Sequence, residues 1–303
     1  MKAGFYYDDV FLRHEAADSH PERKERLTTI VSALKASHLW EKLVHMKPGM
    51  ASFADVEMVH HHGYVEKIRN FGEGHLDPDT YFSRGSLEAS LTAVGAVMDA
   101  VARCRSGRIT RAFCAVRPPG HHAEAERAMG FCIFNNIAVG ARHAQKLGYD
   151  RVFIIDFDVH HGNGTQHMFE EDDTVFYFST HQYPHYPGTG SAAERGRGKG
   201  EGFIRNIPMP NGSGDREYHA AYHEVLPGLV NAFAPDIILV SAGYDIHRDD
   251  PLAAIRVTDE GVRDIVRSIL SLSLPTVFSL EGGYDLDALG RSVVITIEEM
   301  IKA

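Results

Sequence analysis

The chain has 303 residues, 44% hydrophobic and 24% charged, which sets it among ordinary globular proteins and apart from disordered, collagen-like or coiled-coil sequences. Its 31 Lys and Arg against 41 Asp and Glu leave a formal charge of -10, the wrong sign for a protein that tracks nucleic-acid phosphates. Cys104, Cys114 and Cys132 are odd in number and form no C-x-x-C pair, which speaks against a disulfide framework or a thiolate zinc site and for a reducing cytoplasm.

The first residues, MKAGFYYDD, turn acidic where a signal peptide would be apolar, and no run of about 18 apolar residues follows, so a cytoplasmic protein without membrane contact is expected. In chain order, short β-rich runs predict strands over 4–7, 112–116, 152–157, 174–179, 237–241 and 276–280. Helical spacing falls between them, over 87–104, 136–147, 218–233, 259–272 and 289–301, with Ser86 and Asp215 as candidate caps. This alternation is the mark of βαβ units, hence an α/β fold with a mostly parallel sheet flanked by helices. No repeat or low-complexity linker divides the chain, and 188–202 reads as a surface loop, so residues 1–303 are expected to form one domain.

Four polar clusters, 117–123, 156–164, 242–251 and 281–285, follow the ends of predicted strands, the edge where open parallel sheets bind ligands. Several of the 19 histidines lie there. In Asp156-Phe157-Asp158-Val159-His160, strand alternation would turn Asp156, Asp158 and His160 to one side. Two carboxylates confined to one small volume invite a divalent cation; a self-satisfied polar network at the strand end is the alternative. Asp245, after the strand at 237–241, can complete an Asp158, His160, Asp245 set with open positions, a catalytic pattern suited to Zn²⁺ and compatible with Fe²⁺ or Mn²⁺; a plain turn residue is the competing role. His121 and His122, after a stiff Pro-Pro-Gly turn, fit an acid/base pair beside a metal, although such a pair in a loop often has no function. Tyr284, in Glu281-Gly282-Gly283-Tyr284, could donate to a developing oxyanion or could simply be a core tyrosine.

Together these motifs resemble the histone deacetylase superfamily, the zinc-dependent amide hydrolases of the arginase/deacetylase fold. The likeness runs from HPERKERL (20–27) through Val59-His60, Tyr64, RPPGHHA, GFCIFNN (130–136), DFDVHHGNGTQ, PGTG (187–190) and AGYD (242–245) to EGGY, with a class II flavour. The resemblance implies metal binding by Asp158, His160 and Asp245, and a tandem pair in which His122 is general base and acid while His121 tunes the field. Asp156 would support His121, Asn163 would stand beside His122, and Tyr284 would serve the oxyanion. Gly130, Phe131 and Tyr186 would wall an acyl-lysine channel, with Leu252 where polyamine-preferring relatives can carry an acid. A K⁺ or Na⁺ site would draw on Asp156, Asp158, His160, Ser179 and Thr180, and Arg26 would line an exit region below the metal. Lys24 departs from the family pattern, which has proline there.

The expected function is zinc-dependent deacetylation of acetyl-lysine in proteins or peptides, releasing acetate. An acetylpolyamine amidohydrolase would share every catalytic residue, and a negative rim including Asp249 and Asp250 would suit a cationic substrate in either case. A catalytically silent acyl-lysine binding module is opposed by the full set of catalytic residues, and a two-Mn²⁺ ureohydrolase by the lack of a further Asp-rich ligand set.

Overall fold

A computed structural model of the chain describes residues 3–16 and 19–303. Its strands are β1 (Ala3–Tyr6), β2 (Val44–Met46), β3 (Gly74–Asp77), β4 (Thr80–Phe82), β5 (Arg111–Cys114), β6 (Val152–Asp156), β7 (Val175–Gln182), β8 (Ile204–Met209), β9 (Ile237–Ala242) and β10 (Thr276–Leu280). Eight of them form one sheet in the order β2-β1-β5-β10-β9-β6-β7-β8. All its pairings are parallel. The strands β5, β6, β7, β9 and β10 are buried along their whole length, as expected of a parallel sheet covered on both faces, and so read as nearly continuous apolar runs. Pro208 sits in β8, at the sheet edge, where a missing N–H is tolerated.

The helix Ser86–Arg105 packs on Asn136–Lys146, and Glu25–Ala36 packs on Leu286–Lys302, which also meets Asp259–Ser271. Gly140 permits the first crossing, because a Cβ there would lie 2.5 Å from Val97 Cγ1. Asn135 and Asp285 cap their helices by accepting from Ala138 N–H at 3.0 Å and Ala288 N–H at 2.8 Å. Lys24 precedes its helix with φ -59, close to the angle a proline would fix.

Two cap expectations fail. Ser86 is the first helical residue, with its Oγ accepting from Ser83 N–H at 2.8 Å. The Asp215 carboxylate instead accepts from Thr258 N–H at 2.8 Å. The stretch 218–233 is helical throughout, but in three registers: the end of Asp215–His219, a π-helical turn Ala220–Val225, and Leu226–Phe233. Pro227 accounts for the change of register: it lacks the donor and crowds the carbonyl of an unbroken α-helical ladder, and the wider π turn before it relieves both.

The central strands β5, β10, β9 and β6 are neighbours. Their C-terminal ends therefore deliver the four polar clusters of the sequence to one place. All three cysteines are free and buried. Among the described residues no helix is long and apolar enough to cross a membrane.

Candidate active site

Asp158, His160 and Asp245 are all buried, and each offers a donor atom within 4.8 Å of the others. They do not converge by strand alternation, since β6 ends at Asp156. Two successive turns bring them together, with Asp158 N–H donating to Asp156 Oδ1 at 3.1 Å and His160 N–H to Asp158 Oδ1 at 2.9 Å. His160 Nδ1 faces Asp158 Oδ1 at 3.1 Å and Asp245 Oδ2 at 3.2 Å. Asp245 Oδ2 is buried without a hydrogen-bond partner. Burial and the neighbouring Asp158 push the Asp245 carboxyl up to about 7. Glycines clear the space: a Cβ on Gly282 would stand 2.1 Å from Asp245 Oδ2, and one on Gly243 2.0 Å from Asp158 Oδ2. An orphaned carboxylate oxygen, a second crowded carboxylate and one imidazole are the donor chemistry of a divalent cation site, so these residues fit a metal.

Beside this trio, His121 Nδ1 lies 3.1 Å from Asp156 Oδ2 and His122 Nδ1 2.7 Å from Asn163 Oδ1. Burial disfavours charge on both rings, but Asp158 and Asp156 outweigh it at His121 and push it up to about 10. At His122 burial and the neighbouring His121 act together and hold it well below the usual range. The pair therefore splits into a charged and a neutral imidazole. The Glu281 carboxylate secures their loop by accepting from Gly120 N–H at 2.6 Å and His121 N–H at 3.2 Å.

A cleft of about 180 Å³ reaches the pair and His160, walled by Gly130, Phe131, Tyr186, Leu252 and Tyr284. Gly130 has φ 57 and a Cβ there would fall 2.4 Å from His122 Cδ2, so the wall needs glycine. The Tyr186 ring meets His122 edge-on at 5.2 Å, and Phe131 meets Tyr284 at 5.9 Å. Burial and Asp245 keep the Tyr284 phenol well above its ordinary pKa, a neutral donor.

Asp79, absent from the sequence reading, also lines the cleft. It sits at the tip of the β3–β4 hairpin, accepts from Gly130 N–H at 2.9 Å, and with Thr80 Oγ1 on Phe131 N–H at 3.1 Å holds this left-handed turn. Nothing local in the sequence marks it, because its partner is 51 positions away. The negative rim is corrected. Asp250 is buried and accepts from Tyr284 N–H at 2.6 Å, Leu252 N–H at 3.0 Å and Asp285 N–H at 3.2 Å, while Asp249 pairs with Arg291 at 3.2 Å.

The proposed monovalent set meets where β6 pairs with β7, Asp156 opposite Ser179, although the Ser179 and Thr180 hydroxyls are occupied by His181 Nδ1 at 2.8 Å and Tyr222 OH at 3.1 Å. Beneath the cleft Arg26 is fully buried and donates to the carbonyls of Gly283, at 2.7 Å, and Glu281, at 2.5 Å, fixing the turn that presents Tyr284.

Two paired imidazoles, a buried trio of two carboxylates and an imidazole, and a phenol thus gather at the C-terminal edge of a parallel sheet, groups that together can serve a metal-dependent hydrolase. The pattern of the histone deacetylase domain matches residues 20–300. A probable deacetylase of Methanothermobacter thermautotrophicus is 47% identical, the match spanning 91% of this chain and 84% of the relative. A probable deacetylase of Archaeoglobus fulgidus is 38% identical across 95% and 82%. Histone deacetylase 14, chloroplastic, of Arabidopsis thaliana is 40% identical across 94% and 73%. The crystal structure of the HDA15 HD domain superimposes with a TM-score of 0.95 at 35% identity, covering 99% of this chain and 91% of that one. The chain belongs to the histone deacetylase family.

Proposed function

We propose that the protein, as one catalytic domain, hydrolyses the amide of acetyl-lysine in proteins or peptides and releases acetate, with Zn²⁺ held by Asp158, His160 and Asp245 and with Fe²⁺ as the other candidate. The observation that carries this reading is that His121, His122, His160 and Tyr284 line one narrow cleft, with Asp158 and Asp245 buried against His160. When bound, the ion supplies Lewis-acid polarisation of a carbonyl and acidifies a water. His122, neutral and oriented by Asn163, takes a proton from the attacking water and returns it to the departing amine. His121 keeps its proton toward Asp156 and adds positive field. Tyr284 donates to the carbonyl oxygen as it gains charge. Phe131 and Tyr186 enclose the aliphatic stem of lysine, and Gly130 lets the wall approach His122. A K⁺ or Na⁺ ion near Asp156, Asp158, His160, Ser179 and Thr180 would offset the carboxylates from below.

Leu252 stands at the rim, Asp249 and Asp250 are engaged elsewhere, and Asp79, the acid that lines the cleft, is tied to Gly130 N–H, which favours acetyl-lysine over acetylated polyamines. The test is turnover of an acetyl-lysine peptide and of acetylputrescine before and after chelation, with Zn²⁺ add-back. Faster peptide turnover, lost on chelation and restored by zinc, is expected. Preference for acetylputrescine, or activity indifferent to chelation, would overturn the reading.

A further inference from the structure

A second cluster of metal-ligating side chains lies outside the cleft: His219, His223 and Asp264. His219 ends the short helix Asp215–His219, His223 stands four residues on in the π-helical turn Ala220–Val225, and Asp264 comes from the helix Asp259–Ser271, which packs against both. The carboxylate is divided between the rings. Its Oδ2 lies 2.8 Å from His219 Nδ1 and its Oδ1 3.0 Å from His223 Nε2. The imidazoles stack with centroids 4.2 Å apart and planes at 20°. Neighbouring cations are taken elsewhere, Arg267 by Glu299 at 2.8 Å and Arg216 by Glu217 at 2.6 Å.

Two stacked imidazoles that each turn a nitrogen to one carboxylate form a two-His, one-carboxylate donor set. Separations of 2.8 and 3.0 Å are hydrogen-bond contacts, so the carboxylate bridges the two rings and holds their nitrogens where small shifts would let all three groups face one ion. Both rings are exposed and Asp264 half-buried, so water can fill the remaining positions. The adjoining hollow, lined by His219 and Asp264 together with Asp215, Glu260, Arg216 and Arg267, is open to solvent and has a volume of about 390 Å³. Imidazole nitrogen with carboxylate oxygen suits late first-row divalent ions such as Zn²⁺, Ni²⁺ and Cu²⁺ and disfavours Ca²⁺ and Mg²⁺.

We propose that His219, His223 and Asp264 form a second, surface site for a divalent transition-metal ion, which ties the π-helical turn to the helix Asp259–Ser271. The site itself is separate from the cleft, although its test rests on the cleft holding the first zinc.

The test uses tag-free protein already carrying one zinc per chain, titrated with Zn²⁺ alone and followed by calorimetry and by melting temperature. A second equivalent, weaker than the first and accompanied by a rise in melting temperature, is expected. Removing a direct ligand should cost at least what losing an outer-shell partner does, about 10–100-fold in affinity, so His223→Gln and Asp264→Asn should each weaken the second equivalent by about tenfold or more while deacetylase turnover is retained. Asp264→Asn preserves shape, so its loss of binding cannot be put down to misfolding. Binding of one equivalent only, or a second equivalent unchanged in both variants, would overturn the proposal and leave an ion-paired imidazole cluster.

Discussion

Tyr284 and Gly130 act at the scale of single residues, one through a proton and the other through the lack of a side chain. The Tyr284 hydroxyl is assigned to charge that exists only as the carbonyl is attacked, so its removal should lower kcat without weakening substrate binding. For Tyr284→Phe we expect kcat down by about 10²–10³ with KM little changed, read from steady-state kinetics. Turnover equal to the parent would remove Tyr284 from the mechanism. Gly130→Ala acts differently, because the added Cβ meets the His122 ring at 2.4 Å and the backbone is left-handed. Backbone strain of about 1–2 kcal/mol and overpacking of about 1–3 kcal/mol should both weaken the fold, and with His122 shifted off Asn163 activity should fall well beyond that stability loss. A Gly130→Ala enzyme with normal kcat would show that the wall yields more easily than the ring. These residues were legible in sequence because each is embedded in a motif. Asp79 was not, since only tertiary contact with Gly130 gives it meaning, and Asp250 was misjudged because composition cannot tell a rim carboxylate from one closed over three backbone donors.

Between elements, one tie is the fully buried group of Glu22, Arg26 and Arg117. Glu22 lies just before the helix Glu25–Ala36, takes Arg26 at 3.1 Å and, through its other oxygen, Arg117 at 2.7 Å. Arg117 also reaches the carbonyls of Phe11 and His14, each at 3.0 Å, so the N-terminal segment, the Pro-Pro-Gly loop and the Tyr284 turn share one carboxylate. Glu22→Gln would leave two guanidinium groups buried without a counter-charge. Such a loss costs about 3–5 kcal/mol, to be read as a lower urea midpoint at unchanged slope. A change below about 1 kcal/mol would mean that water or backbone carbonyls already neutralise the pair. The element boundaries explain what the sequence concealed here. The runs that became β5, β6, β9 and β10 were visible because burial on both faces makes them continuously apolar. β2 and the β3–β4 hairpin are only three or four residues per strand, and the π-helical turn before Pro227 keeps a helical spacing of apolar residues while changing its hydrogen-bond register.

Across the whole molecule, stability toward acid depends on histidines buried in the neutral form. His60 places Nδ1 3.0 Å from the Glu124 carbonyl and Nε2 2.9 Å from Asn135 N–H. The first nitrogen must donate and the second accept, so an added proton would set two donors against each other. Burial lowers His60 to about 4. His181, with Nε2 2.8 Å from the Gly190 carbonyl and Nδ1 2.8 Å from Ser179 Oγ, is likewise lowered to about 4 by burial. The unfolded chain protonates both near 6.5, so at these two sites it binds more protons than the native state between pH 6.5 and 4, and their contribution to native stability falls with pH across that window. Above 6.5 neither group contributes a slope. From pH 7.5 to 5.0 each should remove about 2 kcal/mol, about 4 kcal/mol together. In His60→Gln the amide can still offer a donor and an acceptor, so the variant should be less stable at pH 7.5 yet lose less on acidification, its slope shallower by about one proton. Urea denaturation of both proteins at the two pH values measures the difference directly. Equal slopes would show that the native state admits a proton at His60 after all, through rotation of the ring or entry of water between Nε2 and Asn135.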